Sequence, residues 1–267
     1  MTVKTVVAIS SLVMRGAVGL RAIVFALERR GHRVWPVPTI TLPWHPGLGP
    51  STRSVPAEMP AQLDELGRFA GEVDAVLTGY FANAAEVEAA ATFIDRVKAA
   101  RPDALVLVDP VSGDENGRYV PAPVADAIRT LLLPRADIAT PNVNELADLG
   151  TGATIDDRAR SLGAKRVAVT SAIAHDGRIG SLLLGAGGRW QVEHAAVTPA
   201  PRGTGDFFSA ILLAAIIEGA AEEAALAEAA AATLAVIRAS DGETMALADA
   251  QDAIVAPPLG TVVLSPV

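Results

Sequence analysis

The chain has 267 residues, with 22 Lys and Arg against 30 Asp and Glu, a formal net charge of −8. Hydrophobic residues make up 51% and charged residues 19%, which excludes a disordered chain and gives room for one or two domains. The acidic balance argues against a nucleic-acid partner, the lack of cysteine excludes disulfides and thiol nucleophiles, and four histidines with no H-x-x-x-H pair argue against a His-rich metal site.

The first ten residues lack a long apolar run with a cleavage site, and no window reaches the roughly 18 uncharged apolar residues of a membrane span. A soluble cytoplasmic protein without a membrane partner is expected. In chain order, Val3–Ile9 reads as a buried strand, Val18–Arg30 as an amphipathic helix stopped by Gly31, and Arg33–Val37 as the next strand. Residues 41–60, rich in Pro and Gly, read as a loop. A helix over Ala61–Ala70, a strand over Ala75–Leu77 and a strong helix over Ala84–Ala100 follow. Ala104–Val108 is an apolar strand closed by Asp109-Pro110, Pro123–Leu133 a helix, and Asp137–Ala139 a short strand. Short helices are predicted over Asn142–Leu149 and Ile155–Leu162. Strands follow at Arg166–Thr170, Gly180–Leu184 and Trp190–His194, the last two forming a hairpin about residues 185–188. From Thr204 to about Ile254 the chain reads as mostly helix.

Alternating strands and helices imply an α/β fold, with a central mostly parallel sheet and helices on both faces. No linker or repeat divides the chain, so a single domain over 1–267 is expected. Ligands bind beyond the carboxyl ends of such strands. That directs attention to Ser10 and Ser11, Thr78 to Tyr80, Asp109, Asn142 to Glu145, Thr170 and the glycine turn at 203–206.

The segment Arg202-Gly-Thr-Gly-Asp-Phe-Phe-Ser-Ala210 leads into an apolar helix. Its glycines allow a tight turn, and free N–H groups at a helix start suit a phosphoryl group. Asp206 stands at that terminus; a carboxylate there would repel phosphate unless it faces an incoming hydroxyl. A plain glycine turn with a capping Asp is the alternative. Walker A, dinucleotide and G-x-S-x-G motifs are absent.

Gly203-Thr-Gly-Asp206, after Asp109-Pro-Val-Ser-Gly113 and Pro141-Asn-Val-Asn-Glu145, resembles the ribokinase-like superfamily, in its vitamin kinase branch. Ala8-Ile-Ser-Ser11 with Gly16 and Gly19, Val34–Thr39 followed by Trp44-His45 and Gly49, Leu77-Thr-Gly-Tyr80 and Asp114–Val120 resemble pyridoxal kinases in type and order. The resemblance runs from about residue 5 to 240 and implies a ribokinase-like kinase domain that phosphorylates the 5′-hydroxymethyl group of pyridoxal with ATP and Mg²⁺. By that resemblance Asp206 is the catalytic base and Gly203, Thr204 and Gly205 form the anion hole. Ser11, His45 and Tyr80 would join Asp206 in binding the vitamer. Asp109, Thr140, Asn142, Glu145 and Thr170 would serve the nucleotide, with Asp109 and Glu145 holding the metal. A homodimer is implied, and a monovalent cation is left open. Leu12, Leu20 and Pro46-Gly47 depart from the pyridoxal kinase pattern, all near the expected substrate side. A hydroxymethylpyrimidine kinase and a non-catalytic vitamin-binding relative remain as alternatives.

Overall fold

The computed structural model describes residues 2–267. The order of elements is β1 (Thr5–Arg15), α1 (Leu20–Arg29), β2 (Arg33–Trp44), α2 (Met59–Leu66), β3 (Ala75–Thr78), α3 (Ala84–Ala100) and β4 (Leu105–Val108). A two-residue hairpin, β5 (Gly113–Asp114) and β6 (Gly117–Arg118), precedes α4 (Ala122–Ala127), β7 (Ile138–Ala139), α5 (Val143–Leu149) and α6 (Ile155–Ser161). Then come β8 (Val167–His175), β9 (Arg178–Gly185), β10 (Gly188–Ala195), α7 (Thr204–Ile217), α8 (Glu222–Ala239), α9 (Gln251–Val255) and β11 (Val263–Pro266).

One nine-stranded sheet takes the order β11-β10-β9-β8-β7-β4-β3-β1-β2. Strands β2 to β8 in that order run parallel, and β8 through β11 are antiparallel neighbours. The expected mostly parallel sheet with helices on both faces is therefore present. Period-two alternation sends successive side chains of a strand to opposite faces. Val6 and Ala8 enter a core shared with α1, α7 and α8, while Val7 and Ile9 enter one shared with α2, α3 and α4. Both faces are dry, which is why these strands read as unbroken apolar runs.

Several element boundaries differ from the expectation, and those of β1 and β2 shape the site. β1 and β2 continue past the sheet to Arg15 and Trp44, with a register shift between Ser10 and Leu12. Thr41–Trp44 thus extends a strand where a loop is expected, because its prolines occupy an edge strand that tolerates a missing N–H. Between α8 and α9 the chain is not helical, and Thr244 bridges Arg202 there. The α4 helix ends early in a wider turn over Ile128–Leu132. His32 is buried, with Nε2 at 2.9 Å from Glu218, which also pairs with Arg30. Among the described residues, no helix is long and apolar enough to cross a membrane.

Candidate active site

In the sheet β1 lies beside β3; the chain leaves β1 toward β2 and leaves β3 toward β4, on opposite sides, which opens a crevice between their carboxyl ends. A cavity of about 490 Å³ fills that crevice and continues past the ends of β4, β7 and β8. Ser11, His45, Tyr80, Asp109, Thr140, Asn142, Glu145, Thr170, Gly203, Gly205 and Asp206 all line it. Thr204 does not. It lines a second cavity of about 350 Å³ between β9, β10, α7 and α8, which meets the first at Thr170 and Gly205.

The glycine turn is built for close approach. Gly203 caps α7 at φ 93°, and a Cβ there would strike the Ala17 carbonyl and lie 3.1 Å from Val18 Cα. No side chain caps α7, and its first intrahelical bond runs from the Phe207 N–H to the Gly203 carbonyl. The amides of Thr204, Gly205 and Asp206 therefore precede any intrahelical acceptor. At Gly205 a Cβ would meet nothing within 4 Å, so the turn opens at this residue onto the junction of the two cavities. The positive end of the helix dipole lies behind them.

Asp206 is fixed from the other side of the molecule. The Gly19 N–H donates to its Oδ2 at 2.9 Å, and Oδ1 lies 3.7 Å from where a Gly79 Cβ would stand. The turn at 16–19 is folded back on β1 by a bridge from Gly19 to Leu12, which presents that amide. Burial pushes the Asp206 carboxyl up to about 6, against the pull of the Gly19 N–H.

Asp109 follows β4 and is buried. Burial first, then the neighbouring Glu145 and Asp206 charges, hold its carboxyl well above the ordinary carboxylate range. Its Oδ2 accepts from Ser209 Oγ at 3.1 Å, and Ser209 Oγ lies 2.8 Å from Thr140 Oγ1. Ser209 has one proton, so with Asp109 ionised Thr140 must donate to Ser209. Thr140 thus acts on Asp109 through a hydroxyl relay. Glu145 is likewise buried, and burial pushes it up to about 7 against backbone N–H groups of Asn142, Ser112 and Gly113. The N-x-x-E spacing proves to be a capping box, with Asn142 as N-cap of α5 and Glu145 accepting from its amide at 2.8 Å.

The acceptor end has apolar walls: Val13, Ile40 and Leu42 from the β1–β2 extension, with Val18 and Tyr80. Tyr80 is held by its backbone, its N–H donating to Ser10 Oγ at 3.2 Å and its carbonyl accepting from Thr39 Oγ1 at 2.7 Å. His45 accepts a bond from the Gly47 N–H on Nδ1 at 3.0 Å; burial, then Arg202, keep its pKa below the ordinary value. Of the three departures from the expected pattern, Leu12 and Leu20 pack into the core, and only Pro46-Gly47 lines the cavity. Sequence reasoning missed Arg53, Asp114, Tyr119, Arg202 and Ser209. The first four sit in loops or a two-residue hairpin, and Ser209 looks like a packing residue in an apolar helix.

Mg²⁺ is compatible with the residues present. Magnesium keeps several waters and takes one or two carboxylates plus phosphate oxygens. Among the described residues none bonds Asp109 Oδ1, whereas both Glu145 oxygens are occupied by backbone amides. Among the described residues, no group of three or more His, Cys, Asp or Glu stands together as a metal cage. Asp109 is thus suited to a direct contact and Glu145 to one through water.

Residues 54–247 match the profile of the phosphomethylpyrimidine kinase family. A pyridoxal kinase from Leifsonia xyli subsp. xyli is 34% identical over 240 residues, covering 83% of this chain and 84% of the relative. A pyridoxine/pyridoxal/pyridoxamine kinase from Bordetella avium is 34% identical over 238 residues, covering 83% and 80%. Among solved structures, pyridoxal kinase from Leishmania donovani in complex with ADP and pyridoxamine superposes with a TM-score of 0.87 at 26% identity, covering 99% of both chains. With a profile match across most of its length and relatives above 30% identity over four-fifths of both partners, the chain belongs to the phosphomethylpyrimidine kinase family, among its pyridoxal kinase members.

Proposed function

We propose that this chain transfers the γ-phosphoryl group of ATP to the 5′-hydroxymethyl group of pyridoxal, giving pyridoxal 5′-phosphate for vitamin B6 salvage. The carrying observation is the junction of the two cavities at Gly205 and Thr170, over the open amides of α7, with Asp206 on the acceptor side. The nucleotide occupies the cavity between β9, β10 and α8, with Thr170 and Thr204 at its phosphate end. The Leishmania donovani relative, described with ADP and pyridoxamine, supports two such sites on this fold.

Phosphoryl transfer asks the protein for positioning and charge stabilisation more than for covalent chemistry. Asp206 orients the acceptor hydroxyl and takes its proton late in transfer; a carboxyl held near 6 suits that better than an ordinary one. The amides of Thr204, Gly205 and Asp206 receive the charge that grows on the migrating phosphoryl group. Asp109 directly, and Glu145 through water, would hold Mg²⁺, which would supply neutralisation of the nucleotide's phosphate charge. Ser11, Tyr80 and His45 surround the acceptor ring, and Asn142 with Thr140 keeps the carboxylate side in place. The whole chain acts as one kinase domain, as a cytoplasmic homodimer; light scattering on the purified protein tests the dimer.

The family profile's own description favours a second reading, phosphorylation of a hydroxymethylpyrimidine. A panel of pyridoxal, pyridoxine, pyridoxamine and hydroxymethylpyrimidine with ATP and Mg²⁺ decides between them. Turnover of pyridoxal well above the pyrimidine is expected; the reverse order would replace the B6 assignment.

A further inference from the structure

Among the cations near the cavity, Arg53 differs in having no partner. Arg202 lies 3.6 Å from Asp114, Arg118 pairs with Asp148, and Arg15 pairs with Glu243. Among the described residues, Arg53 makes no ion pair and no side-chain hydrogen bond, yet it lines the cavity.

Its placement is fixed by backbone. Ser54 bridges Thr41 of β2, with Thr41 N–H to Ser54 carbonyl at 2.8 Å and Ser54 N–H to Thr41 carbonyl at 3.0 Å. In an antiparallel pair, residues opposite one another share a face and their neighbours point to the other. Ser54 is opposite Thr41, so Arg53 falls on the face of Ile40 and Leu42, the apolar wall of the acceptor end. Its charge is felt at the Tyr80 phenol, on the same wall, where it opposes the rise caused by burial. Of the cavity's carboxylates, Asp109, Glu145 and Asp206 belong to the transfer end and are buried or held by other groups, and Asp114 is paired with Arg202. The acceptor end is thus two apolar walls with one unneutralised guanidinium.

We infer that Arg53 is a specificity-determining residue, recognising an anionic ring oxygen of the acceptor and so selecting hydroxypyridine over aminopyrimidine alcohols. This rests on the B6 assignment above. The 3-hydroxyl of a B6 ring gives up its proton readily because the ring nitrogen can take one, which leaves an oxide that a guanidinium binds with a charge-assisted hydrogen bond. The corresponding aminopyrimidine carries an exocyclic amine, a donor that another donor opposes. Lysine places a point charge where arginine places a planar fork, so Lys should restore only part of the preference.

The test is a chemical cycle on the full-length protein. kcat/KM is measured for pyridoxal and for its 3-deoxy analogue, with wild type, Arg53→Gln and Arg53→Lys, each variant first checked by thermal melting. The pyridoxal-to-analogue ratio should fall about 10-fold or more in Arg53→Gln, through KM, as expected for loss of a charged hydrogen bond, with Arg53→Lys between. An equal loss on both acceptors, or a rise confined to the KM for ATP, overturns the inference and leaves the B6 assignment standing. Wild-type protein that ignores pyridoxal while phosphorylating the pyrimidine overturns both, and the vitamer panel identifies that case separately.

Discussion

The Gly19 N–H donates to Asp206 Oδ2 at 2.9 Å, although 187 residues separate the two in sequence. This bond occupies one carboxylate oxygen and leaves Oδ1 over Gly79, toward the acceptor. Asp206→Asn keeps the shape and removes the proton acceptor. Its kcat should fall about 10³-fold, within the range of general-base losses. Calorimetric affinity for pyridoxal should stay within a few-fold of wild type. Unchanged kcat would remove Asp206 from the mechanism.

The pH profile should report the same group. Asp206 works as a base only when ionised, and burial holds its carboxyl at about 6. kcat/KM should therefore decline as pH falls through 6, with Asp109 and Glu145 blended into one apparent limb because the carboxylates interact. A limb centred near pH 4 would show that burial does not raise this group.

Ligand-free stability should move in the opposite direction. Asp206 and Glu145 have folded-state values of about 6 and about 7, above their ordinary 3.8 and 4.5. Stability from such groups is full below the ordinary value and is lost as pH rises through the folded one. Asp137, though buried, is held low by Lys165 and Lys98, and Asp74, partly exposed, by the Thr5 N–H and Arg101 against the effect of desolvation. Their contribution is lost only as pH falls below the ordinary carboxylate range, so it is level from pH 5.5 to 7.5. The Tm should thus rise on going from pH 7.5 to 5.5. At pH 7.5 Asp206→Asn should melt roughly 2–4 °C higher than wild type. Scanning calorimetry at both pH values checks the sign.

Gly203→Ala meets two obstacles, a φ of 93° and the Ala17 carbonyl. Activity should fall at least 100-fold, an order set by misplacing the amides that receive transition-state charge. Gly205→Ala, with open space around its Cβ, should fold normally, so a loss there marks steric exclusion of phosphate. Circular dichroism and KM for ATP separate the two cases.

Ser209→Ala deprives both Asp109 Oδ2 and Thr140 Oγ1 of their partner. Denaturant unfolding should show a loss of about 1–3 kcal/mol, the cost of leaving buried polar atoms unpaired. The KM for Mg-ATP should rise as Asp109 loses its orientation. A normal KM would confine Ser209 to packing.

Much of the donor half was legible in sequence because its chemistry is local. The glycine turn and Asp206 sit in four consecutive residues, and the Asn142–Glu145 spacing is itself a cap. In the acceptor half, strand ends pointed to Ser11 and Tyr80, whereas His45 was legible only by resemblance. Leu42 lies in a segment whose prolines read as loop, and Ile40 just before it, although edge position lets both remain strand. Arg53 follows no periodic pattern, and its direction is set by a bridge to Thr41 that sequence does not announce. Ser209 is surrounded by Phe207, Phe208, Ala210 and Ile211, so nothing local separates a functional hydroxyl from a tolerated one. β11 escaped notice because it is four residues long and follows Pro257-Pro258.

The register shift between Ser10 and Leu12 lets the paired ends of β1 and β2 bend over the crevice, while α7 and α8 stand on the far side of it. Retailoring the vitamin end is therefore a matter of a few replacements along one curled ribbon, which leaves the energy-donating end untouched. Grafting that ribbon between relatives is the shortest engineering route to a new acceptor alcohol.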